Sequence, residues 1–206
     1  YTFSLSASSD IAFPKKLSLY FSILNMLTRQ LINVPVHLGL EHYPNIYCGV
    51  AVFLLYPLYV MDKDINLCEK IGKSVLLLVF LTAFNLNIPN FIWHGFHYPN
   101  SLPCRQSFIY IFFLLTMCYE ALSHIKQMTS RQLGIAVWIS LGLLVLIEQV
   151  FAVDETYDFK AIYLSGAFIL VYAGLMIVYN KTNWKLPVTA FLAFIVCIIE
   201  CTINMD

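Results

Sequence analysis

The sequence predicts an all-α integral membrane protein: about six transmembrane helices, preceded by an amphipathic helix at the membrane interface. Three observations lead there. Apolar residues make up 60% of the 206-residue chain, more than one soluble core of this size can hide. Charged residues make up 12%, about half the usual share of a globular domain. The apolar residues also gather into runs close to the ~20 residues that a helix needs to cross a ~30 Å hydrocarbon core. Lys plus Arg equals Asp plus Glu, so the basic excess of a nucleic-acid binder is missing. Disorder is excluded by the same hydrophobicity.

Residues 1–45 read as an outer, interfacial segment. Within it, apolar residues at 17, 20, 21, 24 and 27 fall at helical spacing, flanked by Lys15, Lys16 and Arg29, with Pro14 as a first-turn residue. Such a helix either packs on the bundle or lies in the interface beside a substrate groove. Residues 46–203 carry the predicted spans at 46–61, 74–88, 108–122, 133–153, 159–179 and 186–203. Pro57 should kink the first of these unless a neighbour satisfies the carbonyl it frees. No internal repeat or low-complexity tract divides the chain, so 1–206 is expected to be a single membrane domain. Its bare ends, Tyr1 and a short tail after the last run, suggest an internal piece of a longer polytopic protein.

Loop charge sets an expected orientation. Loops 62–73, 123–132 and 180–185 hold seven basic residues, against Arg105 and Lys160 on the other side. The positive-inside rule then places those three loops in the cytoplasm. Loop 89–107 and the acidic stretch from Asp154 to Asp158 are expected outside.

Loop 89–107 concentrates the chemistry. Trp93, Phe96 and Tyr98 suit a membrane interface, and His94, His97, Asn100 and Arg105 add hydrogen-bonding groups. Irregular polar backbone at membrane depth is tolerated where protein buries it or water fills a cavity. The loop is therefore either an aromatic belt with incidental polar groups or a recognition loop lining a cavity. Arg105 stands at the entry to the 108–122 span, where a guanidinium suits a phosphate bidentately or simply snorkels. His94 and His97 are three apart, but Gly95 and Pro99 spoil a helix and no third ligand is close, so no metal site is expected. His37, Glu41 and His42 are equally non-specific. Glu120, Glu148 and Glu200 fall inside predicted spans, where a carboxylate is costly. Glu148 and Glu200 either pair with Arg105, line a cavity or snorkel. Cys48 and Cys104 both fall outside, where a disulfide is chemically allowed, although sequence gives no separation.

The stretch Ile92-Trp93-His94-Gly95-Phe96-His97-Tyr98-Pro99-Asn100, then Leu102-Pro103-Cys104-Arg105-Gln106-Ser107-Phe108, resembles the YfhO family of bacterial membrane proteins. Pro44-Asn45-Ile46-Tyr47-Cys48-Gly49 and Phe13-Pro14-Lys15-Lys16 are similar to that family too, so the likeness touches residues 13–122. It implies a helix bundle like that of GT-C glycosyltransferases, in the bacterial cytoplasmic membrane. It also implies transfer of a sugar from a polyprenyl-phosphate carrier to an envelope glycopolymer such as teichoic acid. In that class the acidic base lies in an early outer loop, to which no segment here corresponds, so the catalytic residue is expected elsewhere and this piece alone inactive. The expected partners are the bilayer, the lipid-linked donor and the glycopolymer, with no cofactor and no nucleic acid. The expected substrate-binding residues are Arg105, His94, His97, Asn100 and Trp93. The alternatives are a transporter or flippase, with polar groups at the bilayer midplane, and a non-catalytic membrane scaffold.

Overall fold

The computed structural model describes residues 13–36, 43–98, 104–152, 158–182 and 186–205. Among these the chain is helical apart from connecting segments and one isolated bridge. The helices are α1 (Ile23–Thr28), α2 (Val52–Met61), α3 (Leu67–Asn85), α4 (Asn87–Trp93), α5 (Ser107–Ser123), α6 (Ser130–Phe151), α7 (Lys160–Lys181) and α8 (Leu186–Ile203). Three of them, α6, α7 and α8, are long and apolar enough to cross a membrane. Two shorter ones, α2 and α5, are also predominantly apolar.

The short α2 is the centre of the bundle. It packs against α5 and α6, and seven of its ten residues are buried. An apolar helix without a polar face is what such a buried position requires. Pro57 sits inside it and donates no hydrogen bond to the carbonyl four residues back, that of Phe53. The buried Ser140 hydroxyl of α6 lies 2.7 Å from the Phe53 oxygen and 2.7 Å from its own helix's Ala136 carbonyl, and shares its one proton between them. The expected rescue by a neighbour is thus supplied by one serine.

The N-terminal segment departs from its predicted helix. Only Ile23–Thr28 is helical, started by Ser22, whose side chain accepts from the Asn25 N–H. Residues before it are extended, because the break between α3 and α4 captures them. Leu86 there is extended and bridges Leu19. Tyr20 N–H donates to the Asn85 carbonyl at 2.9 Å, and Asn87 N–H donates to the Ser18 carbonyl at 3.1 Å. Both flanking amides add side-chain clamps: Asn85 Oδ1 accepts from Phe21 N–H, and Asn87 holds Ser18 N–H and the Lys16 carbonyl. These long-range bonds outweigh the local helical periodicity of 17–27. Pro14 consequently lies in non-helical chain. The first expected span is shortened for a related reason: residues 43–49 are non-helical, and Gly49 turns the chain at φ +95°.

The helix ends define two poles. α2 and α5 both run from the Arg105 pole to the opposite one, where Asp62 and His124 meet at 2.7 Å. Lys73 binds both Glu69 and Glu120 at that far pole, so Glu120 ends its helix in an ion pair. A capping box of Thr129 and Gln132 starts α6 there.

Candidate functional site

At the Arg105 pole the Trp-His-Gly-Phe motif is the C-terminal cap of α4. Phe96 N–H donates to the Phe91 carbonyl at 2.9 Å, and Gly95 N–H donates to the Ile92 carbonyl at 3.1 Å. These are the two bonds of a Schellman motif. Its hydrophobic contact is present as well, with the Phe91 and Phe96 rings 6.2 Å apart. Gly95 has φ +71°, which glycine adopts without steric cost. The motif therefore fixes the direction in which the loop leaves the bundle.

The cap distributes the expected site residues. Trp93 is 40% exposed and packs edge-on against Phe80 at 5.1 Å. His94 Nδ1 lies 2.8 Å from the Asn90 carbonyl, a backbone partner within its own helix. His97 is exposed, with Nδ1 3.4 Å from the Gly95 carbonyl. Arg105 is exposed on the turn 104–106 that enters α5. Asn100 lies outside the described residues, as do His37, Glu41, His42 and residues 154–157. Trp93, His94, His97 and Arg105 thus share one pole but show no common contact among the described residues. No described group of three metal-capable side chains includes either histidine. Asp62, Asp64 and His124 bring ligand atoms within 4.8 Å of one another, at the far pole. There Asp62 accepts from the Asp64 N–H and pairs with His124, as a helix-end cap does.

Beside the turn, Cys104 is buried and its thiol is pushed up to about 12 by that burial. Its sulfur faces the Phe84 carbonyl at 3.8 Å, while Cys48 faces Gln30 at 3.9 Å. No disulfide joins Cys48 to Cys104 in this structure.

A groove of about 460 Å³ runs between α2, α3, α5 and α6. Its wall is apolar except for Gln30 and Tyr110 near the Arg105 pole and Tyr56 and Ser74 further along. Gln30 Nε2 donates to the Tyr110 hydroxyl at 3.3 Å, and Tyr56 donates to Ser74 at 3.2 Å. Val60, Leu78 and Ile139 line it and are 46%, 58% and 42% exposed. The groove therefore opens sideways on the apolar flank of the bundle.

Sequence reasoning left two buried charged groups unassigned. Glu200 is 1% exposed and does not meet Arg105. It accepts from the Tyr47 hydroxyl at 2.6 Å, Val50 N–H at 2.7 Å and the Tyr172 hydroxyl at 2.6 Å. Three donors replace the water that a buried carboxylate would lose. Arg29 is 4% exposed and donates to the Pro44 and Pro35 carbonyls and Asn45 Oδ1. The signal for both was their placement among apolar residues; their partners lie too far along the chain for spacing to reveal.

A family profile described as bacterial membrane protein YfhO matches residues 3–206. The chain belongs to the YfhO family. The match extends well beyond residues 13–122, whose motifs carried the resemblance, and covers the long apolar helices. This YfhO-family chain is accordingly a membrane protein, and its apolar flanks contact the lipid bilayer. No curated protein and no solved structure matches it.

Proposed function

We propose that this YfhO-family protein is part of a membrane glycosyltransferase that takes a sugar from a polyprenyl-phosphate carrier and passes it to an envelope glycopolymer such as teichoic acid. The observation that carries this reading is the groove. It is apolar, opens on the flank that faces lipid, and becomes polar at Gln30 and Tyr110, toward the Arg105 pole. A hydrocarbon chain entering from the bilayer would bury apolar surface along it and present its phosphate at that pole. Arg105 is suited to receive the phosphate, because a guanidinium fork matches two phosphate oxygens. Trp93, His94, His97 and Asn100 supply aromatic and polar groups around the same headgroup.

The Arg105 pole is then the extracytoplasmic face of the bacterial cytoplasmic membrane. In a background without native cysteines, an impermeant thiol reagent should label Asn100→Cys and Thr156→Cys, but not Thr129→Cys. External labelling of position 129 would reverse the orientation.

The test of the function uses the full-length protein and varied donor concentration. A charge-assisted phosphate contact contributes roughly 1.5–3 kcal/mol, so Arg105→Ala should lower turnover by about 10- to 150-fold. Arg105→Lys should recover only part of it. Full recovery by Lys with unchanged donor affinity would make Arg105 a helix anchor. A transporter reading would draw on Glu200 as its buried charge, but three protein donors already close that carboxylate off. A scaffold would tolerate every one of these substitutions.

A further inference from the structure

The polar end of the groove carries free hydrogen-bond donors. Gln30 and Tyr110 both line the groove there. The Gln30 amide gives one N–H to the Tyr110 hydroxyl oxygen at 3.3 Å. An amide nitrogen has two hydrogens and a phenol has one, so one N–H and the O–H remain. Among the described residues neither has an acceptor. Gln30 Oε1 faces the Cys48 thiol at 3.9 Å, so the acceptor end of the amide is turned to a neighbour. This end of the groove therefore offers chiefly donors.

Both side chains are held by contacts outside the groove. Arg29, next to Gln30, is buried and bonded to the Pro44 and Pro35 carbonyls and to Asn45. The Gln30 backbone N–H donates to the Leu27 carbonyl at 3.2 Å. The Tyr110 ring stands edge-on to the buried Phe84 ring at 5.9 Å. Tyr110 follows Ser107, the first residue of α5, by three positions, roughly 4.5 Å along the axis. Helical side chains lean toward the helix N-terminus, which here is the Arg105 turn.

An apolar groove gives a hydrocarbon chain no register, because burial depends on area and the area stays constant as the chain slides. Among the described residues no charged side chain lines the groove. The Gln30–Tyr110 pair removes that indifference. Covered by hydrocarbon, its two donors lose water and gain no partner, which is unfavourable. Beside an oxygen acceptor, both are satisfied. A phosphate ester at the end of the chain supplies such acceptors and leaves its outer oxygens for Arg105. We propose that Gln30 and Tyr110 set the register of the lipid carrier: together they donate to the phosphate oxygens nearest the chain and fix the depth at which a polyprenyl phosphate stops in the groove. This rests on the glycosyltransferase reading above and adds to it the residues that select a phosphate-ended chain over a bare one.

The experiment measures binding of a polyprenyl phosphate, and of the same chain ending in hydrogen instead of phosphate, to the full-length protein in nanodiscs. Wild type should prefer the phosphate. Tyr110→Phe keeps the ring against Phe84 and removes only the hydroxyl. It should weaken the phosphate lipid about tenfold or more, the effect of losing a hydrogen bond to a charged group, and should not weaken the hydrocarbon. Gln30→Met, close in shape but without donors, should do the same. Tyr56→Phe, further along the groove, should leave the preference intact. If neither lipid binds wild type, the transferase reading itself falls. If wild type binds both equally, or if the preference survives Tyr110→Phe and Gln30→Met and is lost only in Arg105→Ala, this pair does not set the register and the proposal alone is overturned. Equal weakening of both lipids by Tyr110→Phe would make the hydroxyl a structural group, and loss of the preference in Tyr56→Phe would put the phosphate deeper in the groove. Either result also overturns it.

Discussion

Glu200 offers a quantitative test of how the last helix is held. α8 buries only Thr189 and Glu200, so its attachment depends on few contacts. The Glu200 side chain joins it to Tyr47 and Val50 in the segment before α2, and to Tyr172 in α7. A hydrogen bond to a charged group contributes about 1.5–3 kcal/mol net. Tyr172→Phe removes one such bond and should cost that amount. Glu200→Leu leaves two hydroxyls and one N–H without their acceptor, and should cost at least about 3 kcal/mol, because each orphaned buried donor costs about 1–3 kcal/mol. For a chain of this size each kcal/mol lowers the melting temperature by roughly 2–4 °C. Tyr172→Phe should then melt about 3–12 °C lower in detergent. The decisive arm is the double variant. Once the carboxylate is gone, the Tyr172 hydroxyl is an orphan, so adding Tyr172→Phe to Glu200→Leu should cost nothing or stabilise. Additive losses would refute the network, and so would a neutral Glu200→Leu.

Two further outcomes test the Arg105 pole. Gly95→Ala should destabilise by about 1–2 kcal/mol, because a Cβ is penalised in the left-handed region that the cap requires; an unchanged melting temperature would count against that cap. Alkylation of Cys104 should be slow at pH 8 and still rising at pH 10, since its thiol, pushed up to about 12, gains thiolate only as pH climbs. A rate already levelling near pH 9, as for an ordinary thiol of pKa about 8.5, would show that the thiol is not desolvated.

Much of the helical framework was legible because continuous apolar runs have only one way to satisfy their backbone in lipid. The expected spans 108–122, 159–179 and 186–203 differ from α5, α7 and α8 by at most two residues at either end, and 133–153 from α6 by three or fewer. Where a distant partner intervenes, local pattern fails. Residues 17–22 have helical spacing, yet their backbone is claimed by Asn85 and Asn87, more than sixty residues away. The 74–88 run reads as one span, but helix already begins at Leu67 behind Asn66, and the Asn85-Leu86-Asn87 triplet interrupts it. That asparagine pair was the available signal, since such side chains offer the backbone alternative partners. Of the candidate site, the pole itself was legible from its density of aromatic and polar residues. Glu200 was legible as a costly charge but not as a ligated one, because its partners stand 28, 150 and 153 positions away. Gln30 gave no signal at all, since only the fold brings its amide to Tyr110, 80 positions away.

The most direct test of the central claim is photocrosslinking of a polyprenyl phosphate that carries a diazirine along its chain, followed by mapping of the labelled peptides. Label should concentrate on groove residues such as Val60, Leu78 and Ile139, and the variant Leu78→Trp, which fills the groove mouth, should abolish it while the protein still inserts and melts normally. Label spread evenly over the exposed apolar faces of α7 and α8, and unaffected by Leu78→Trp, would contradict a lipid-linked donor site in this groove.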